Sequence, residues 1–101
     1  PPVKHRVRVL RRAQGDLSGI ADYLARDAPA VARRVVDGLL SALESLADLP
    51  TRGARPRDPR LRRLGFRCLV VGPHLVFYKV LGRTVRVYRV VHGRRVYAHL
   101  L

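Results

Sequence analysis

The pattern of apolar and polar positions begins with a short strand and a helix. Residues 5–10 alternate between the two classes and place Val7 and Val9 on one face, as in a half-buried strand. Apolar residues then recur every three or four positions, which predicts an amphipathic helix near residues 12–26. The members of this stripe are Ala13, Leu17, Ile20, Ala21 and Leu24.

A second helix is predicted over residues 29–49. Proline is favoured at the first position of a helix, and Pro29 stands there, while Pro50 ends the pattern. Its apolar stripe comprises Ala32, Val35, Val36, Leu39, Ala42, Leu43 and Leu46. The short link between the two helices indicates an antiparallel helical hairpin.

The rest of the chain is strand-like. Residues 50–60 hold three prolines and four arginines and indicate a loop, and strands are predicted at 61–71, 74–81 and 84–91. We therefore expect one α+β domain over residues 1–101, of order β-α-α-β-β-β. The helical hairpin should cover one face of a small antiparallel sheet, and strand one should pair with a later strand.

Both faces of the later strands are apolar over much of their length. Val76, Tyr78 and Val80 alternate with Leu75, Phe77 and Lys79, and on the following strand valines alternate with Arg86, Tyr88 and Val90. A sheet covered on one side should be polar on the other, so a second apolar face predicts a covering partner. The alternative is that residues 97–101 fold back over this face.

Positive charge is concentrated in the second half of the chain. Lys and Arg total 21 against seven acidic residues, a formal net charge of +14. Residues 1–48 carry eight basic and six acidic side chains, whereas residues 49–101 carry thirteen basic ones and only Asp58. This asymmetry predicts an anionic partner.

Other compositional features narrow the class of protein. Cys68 is the only cysteine, so no internal disulfide or cysteine-rich metal site is expected. His5, His74 and His99 are too scattered to suggest a metal site. No apolar run approaches about 18 residues, so we expect no membrane span. No secretion signal is visible, and a cytoplasmic location is expected.

Several motifs in order resemble the ParE-like toxins of the RelE/ParE superfamily. The family's first-helix pattern A-x-x-D-L-x-x-I-x-x-Y-[IL] is matched by Ala13, Asp16, Leu17, Ile20, Tyr23 and Leu24. The second helix and the loop after it are matched by Pro29, Ala30, Leu46, Pro50 and Gly53. The later strands are matched by Arg62, Leu64, residues 77–80 and the closing run 89–95. One departure is Val96, where the family commonly has an acidic residue.

The resemblance implies the toxin of a type II toxin–antitoxin system, with no cofactor. It implies a cognate acidic, ParD-like antitoxin in a hetero-oligomer, which would also carry the complex to operator DNA. The antitoxin-binding residues expected on this basis are Leu17, Ile20, Tyr23, Leu24, Val76, Tyr78 and Tyr88.

Within this resemblance, two activities are open. ParE-like toxins poison DNA gyrase, and the closing motif favours such an inhibitor over an enzyme. The target-binding residues would then be Arg89, His92, Arg94, Arg95 and Tyr97. RelE-like toxins bind the ribosome and cut mRNA, a reaction that needs a base and cations for the charge developing on phosphorus. Its candidate catalytic residues would be Arg67, Arg89, His92, Arg94 and Tyr97.

Each of these candidates also has a structural interpretation. Arg89 can hold the fold, His92 can be a turn residue before Gly93, and Tyr97 can anchor the C-terminal segment. A third function is a basic nucleic-acid-binding module without toxin activity. The acidic residues lie mostly on the helices, which argues against a helix inserted in a DNA groove.

Overall fold

The computed structural model describes residues 4–93 and Leu101. Its strands and helices follow the predicted β-α-α-β-β-β order, with one additional short helix. The elements are β1 (Arg6–Val9), α1 (Arg11–Ala25), α2 (Pro29–Ser45), α3 (Pro59–Arg63), β2 (Arg67–Val71), β3 (His74–Leu81) and β4 (Thr84–His92). The α+β class and the helical hairpin are confirmed.

The sheet is mixed rather than antiparallel as predicted. Its strand order is β1-β4-β3-β2, with β2–β3 and β3–β4 antiparallel and β1 parallel to β4. Two parallel neighbouring strands need a long connection. The connection from β1 to β4 contains the helical hairpin, followed by α3, β2 and β3. Gly72 and Gly82, with φ of 58° and 60°, occupy the two hairpin turns, where the left-handed backbone favours glycine.

The prediction of a strand from residue 61 was wrong, because residues 59–63 form α3. The Asp58 carboxylate accepts hydrogen bonds from the backbone N–H groups of Arg60 and Leu61, at 2.8 and 3.3 Å. Pro59 follows at the first helical position. This is an N-cap followed by proline, a helix-start signal that outweighs the strand-like composition. Strand β2 consequently begins only at Arg67.

The main core lies between the helical hairpin and one face of the sheet. The sheet contributes completely buried side chains from β3 and β4, and the helices contribute small and aliphatic ones. The buried members of this core are Ala13, Leu39, Ala42, Leu43, Leu46, Leu69, Val76, Tyr78, Val85, Val87 and Val90.

The other face of the sheet carries a second, smaller apolar cluster. Leu61 and Phe66, which lie in and just after α3, pack on Phe77 and Val91 of the sheet, and Leu101 packs against the same cluster. The chain therefore covers part of this face itself, and Leu101 at the end of the chain is among the residues that do so.

Candidate functional site

A cleft of about 690 Å³ opens where α1 passes the start of β3 and the end of β4, at the opposite end of this strand pair from its turn. Its walls combine one side of α1, Val35 of α2 and the ends of the two strands. The α1 residues are Gly15, Asp16, Gly19, Ile20, Tyr23 and Leu24, and the residues of the hairpin end are Pro73, His74, Val90, Val91 and His92. Most of these side chains are apolar, which is typical of a site for a partner's apolar side chains.

Two glycines keep the α1 side of the cleft open. Gly15 and Gly19 lie one helical turn apart, and a Cβ atom placed on either would have no neighbour within 4 Å. Tyr23, one turn further on, is 71% exposed. Large exposed aromatic side chains beside an open apolar cleft are common in protein-binding surfaces.

A nearly buried ion pair forms one wall of the cleft. Arg89 donates from Nε and Nη2 to the two carboxylate oxygens of Asp16, at 2.8 and 2.9 Å, and the Val90 backbone N–H donates to the same carboxylate at 2.9 Å. The two side chains are only 12% and 15% exposed. The hydrogen bond to Asp16 raises the pKa of Arg89 above its ordinary value, against the opposing effect of burial. This pair joins α1 to β4.

Two histidines face each other in the cleft, one at the start of β3 and one at the end of β4. His74 and His92 are cross-strand partners with ring centroids 5.8 Å apart, nearly perpendicular. His74 is buried, and its Nδ1 atom has no hydrogen-bond partner. Burial, reinforced by the nearby His92, lowers the pKa of His74 below 6.5, so a neutral ring is favoured here.

The structure divides the residues expected to bind the antitoxin. Ile20, Tyr23 and Leu24 line the cleft together, and Leu17 packs against the main core. Tyr88 lies with the second cluster, edge-to-face with Phe66 at 5.2 Å.

Val76 and Tyr78 were wrong as partner-binding residues, because both are completely buried. The Tyr78 hydroxyl donates to the Pro50 carbonyl at 2.7 Å and accepts from the Gly53 N–H at 2.8 Å. Its role is to hold the loop after α2 against the sheet.

The residues expected at the target surface are only partly described. Arg89 lies in the ion pair with Asp16, and His92 lies beside His74. Arg67 donates to the carbonyls of Gly53 and Thr51, at 3.1 and 3.2 Å. Arg94, Arg95, Val96 and Tyr97 lie outside the described residues.

Sequence reasoning missed two features of the cleft. The glycine spacing on α1 indicates an open helix face only once the strands beside it are known. The pairing of His74 with His92 depends on the register of the β3–β4 hairpin. Within residues 4–93 and 101, no cluster of three or more His, Cys, Asp or Glu side chains is arranged to hold a metal ion. None of the helices described is long and apolar enough to cross a membrane.

Comparison with known proteins gives consistent results. Residues 7–97 match the family model for the ParE toxin of the type II toxin–antitoxin system parDE. The toxin RelE2 of Caulobacter vibrioides is 37% identical over 84 residues, which cover 83% of this chain and 90% of that protein.

Solved structures share the fold. A structure of the chromosomal ParDE system of P. aeruginosa has a TM-score of 0.75 at 21% identity, covering 90% of this chain and 98% of that one. The toxin–antitoxin complex RelBE2 of Mycobacterium tuberculosis has a TM-score of 0.61 at 24% identity, covering 89% of this chain and 99% of that one.

Proposed function

This chain belongs to the ParE toxin family and is the toxin of a type II toxin–antitoxin system with an antitoxin partner, and from that premise we propose that it acts by inhibiting DNA gyrase. The effector surface in this proposal is the run from Arg89 to Arg95 with Tyr97 beyond it. An acidic antitoxin would hold the toxin inactive in the cytoplasm.

The observation that carries this proposal is the separation of the described candidate catalytic residues across the sheet. Arg89 is neutralised by Asp16, and Arg67 is hydrogen-bonded to two loop carbonyls. Arg67 is paired with Tyr78, whereas His92 is paired with His74. Four residues of strand separate these two positions, or roughly 13 Å along β3. The described candidates for RNA cleavage are thus dispersed, which favours a binding inhibitor over a ribonuclease.

Ribosome-dependent mRNA cleavage is the second candidate function. It is favoured by the similarity to a toxin named RelE2 and by Arg94, Arg95 and Tyr97, which supply two cations and a phenol close together in sequence. A phenol beside two guanidinium groups suits proton transfer and stabilisation of negative charge on a phosphate.

Two assays with the purified chain distinguish these activities. We expect the chain to block supercoiling by purified gyrase, or to trap cleaved DNA, in the absence of ribosomes, and to leave mRNA intact on translating ribosomes. The Arg94→Ala/Arg95→Ala variant should lose gyrase inhibition. Ribosome-dependent cleavage that disappears in Tyr97→Phe, with gyrase unaffected, would establish the second function instead.

We further propose that apolar side chains of the antitoxin occupy the α1 cleft. The open surface over Gly15 and Gly19, the exposed Tyr23 and the apolar side chains of Ile20 and Leu24 support this assignment. An acidic antitoxin segment would also be attracted by the chain's net charge of +14, so its association rate should fall as salt is raised.

The substitution Gly19→Leu tests this assignment by filling the cleft. Its side chain has space in the free chain, and leucine favours helix over glycine by up to ~1 kcal/mol, so folding should be retained. We expect antitoxin affinity to fall at least about thirtyfold, the loss typical of an interface hot spot. Gly38→Leu on α2, where a Cβ atom also meets nothing, is the matched control and should bind normally. Equal binding by both variants would place the antitoxin elsewhere.

A further inference from the structure

The loop after α2 and the short helix α3 form the most basic segment of the described chain. Residues 52–67 contain seven arginines and a single acidic residue, Asp58. That carboxylate caps α3 by accepting from two backbone N–H groups. The positive charge of this segment is therefore almost uncompensated within the segment itself.

Three of these arginines line one small pocket of about 170 Å³. Arg55, Arg62 and Arg67 surround it, and Phe66 and Val80 contribute its apolar part. No acidic residue is among its lining residues. Arginines that line one pocket repel one another unless an anion lies between their charges. Their planar forks suit the oxygens of a phosphate or a carboxylate.

One of the three guanidinium groups is held in place before any ligand binds. Arg67 donates from Nε to the Gly53 carbonyl and from Nη2 to the Thr51 carbonyl. The same loop is fixed to the buried Tyr78 by the hydroxyl bonds to Pro50 and Gly53. A preorganised cation loses less conformational entropy on binding than a mobile one, so this geometry favours anion capture.

Positive charge continues from the pocket onto the sheet. The Lys79 ammonium lies over the rings of Phe66 and Tyr88, at 4.6 and 5.2 Å from their centroids. Phe66 is shared between this contact and the pocket. The pocket is thus one part of a longer basic surface, which suits a polymer with regularly spaced negative charges.

We propose that this arginine pocket binds a backbone phosphate of a nucleic acid. A phosphodiester backbone supplies both the anion for the pocket and further phosphates for the arginines and lysine around it. An acidic peptide fits less well, because the pocket offers a small apolar area, whereas the large apolar surface lies in the α1 cleft. The inference does not depend on the gyrase proposal.

The pocket and the α1 cleft are separate sites. The cleft includes His74 at the start of β3, whereas the pocket includes Val80 near its end. Six residues of strand span roughly 20 Å. The cleft and the pocket share no lining residue, so the test of one site does not depend on the other.

Fluorescence anisotropy with the purified chain tests the proposal. The probes are a labelled 20-base-pair DNA duplex, a single-stranded RNA of 20 nucleotides and a polyglutamate peptide, each titrated at several salt concentrations. The test variant is Arg55→Gln/Arg62→Gln, whose two side chains are exposed, so its stability should change by less than ~0.5 kcal/mol per site. The control is Arg33→Gln/Arg34→Gln, which removes the same charge from exposed positions on α2.

We expect the pocket variant to bind DNA, RNA or both about tenfold more weakly and the control to change less than about threefold. The salt slope should also fall by about 1 or more in the pocket variant, since each phosphate contact contributes about 0.9. A loss confined to one nucleic acid identifies the source of the phosphate. Equal losses in both variants, no binding by the parent chain, or a pocket-dependent preference for polyglutamate over both nucleic acids would each overturn the proposal.

Discussion

Replacing Asp16 by alanine is expected to be among the most damaging single changes in the described part of the chain. The substitution removes the acceptor of three hydrogen bonds, two from Arg89 and one from the Val90 N–H. It leaves a guanidinium that is 12% exposed without its carboxylate. Because this pair links α1 to β4, its loss should weaken both the core packing of α1 and one wall of the cleft.

The magnitude follows from the burial of the pair. Removing one partner of a buried ion pair costs about 3–5 kcal/mol, since the remaining charge stays desolvated without compensation. A domain of this size has a free energy of unfolding of roughly 5–15 kcal/mol. The variant should therefore lose a large part of its stability. At ~4–8 °C per kcal/mol, its Tm should fall by about 12 °C or more.

Urea unfolding followed by circular dichroism measures this loss, with Asp22→Ala as the matched control. Asp22 lies on the same helix and is exposed, so its substitution should change the free energy of unfolding by less than ~0.5 kcal/mol. The Asp16→Ala/Arg89→Ala variant should be less destabilised than the sum of the two single changes by about 2 kcal/mol or more. A cost for Asp16→Ala below ~1 kcal/mol, or additive single effects, would refute the reasoning.

Three further predictions concern the core and its titratable groups. Gly53→Ala should destabilise the chain by about 1–3 kcal/mol, because its Cβ would lie 2.8 Å from the Tyr78 ring. Gly38→Ala, where a Cβ meets nothing, should instead stabilise the chain by up to ~1 kcal/mol. Thermal unfolding of both variants checks this, and equal shifts in Tm would contradict it. Because the pKa of His74 is lowered in the folded chain, the unfolded chain binds a proton at this histidine at higher pH than the folded chain does, so the free energy of unfolding should decline as pH falls below about 6.5. Urea titrations should show a smaller decline for His74→Phe, and an unchanged decline would contradict the assignment. Burial raises the pKa of Cys68 to about 11, so at pH 8 its thiol should react with an aromatic disulfide reagent about a hundredfold more slowly than in the unfolded chain, and equal rates would show that it is not buried.

The helical part of the fold could be predicted because its signals are local. Apolar residues at three- and four-residue spacing, together with Pro29 at a helix start, define the hairpin. The Asp58-Pro59 cap is also a local signal. The start of β2 was nevertheless mispredicted, because the strand-like composition of the following residues concealed this signal. An aspartate followed by proline is the feature of the sequence that marks the start of α3.

The sheet was harder, because a bulge changes which side chains share a face. Alternation places Val85, Val87 and Val91 together, but the β3–β4 register shifts beside Tyr78 and leaves Tyr88 as an extra residue. Val90 therefore packs in the main core, and Val91 packs in the second cluster. A pattern of period two cannot reveal such an inversion.

The functional surface depended on pairings between distant parts of the chain. The family motif singled out Ile20, Tyr23 and Leu24 from sequence alone, and the structure places these three residues in one cleft. It could not show that Tyr78 is buried beneath the 50–53 loop, because that contact joins residues 25 and 28 positions apart. The arginine pocket likewise requires the loop, α3, β2 and β3 to be placed in space.

The state of DNA in cells producing the chain tests the central claim most directly. A reporter plasmid is isolated after induction of the chain, with and without its antitoxin, and its topology is compared with the integrity of total mRNA from the same cells. We predict relaxed or cleaved plasmid and intact mRNA when the chain is produced alone, and normal supercoiling when the antitoxin is present. Normal supercoiling with mRNA cut on ribosomes would contradict the account.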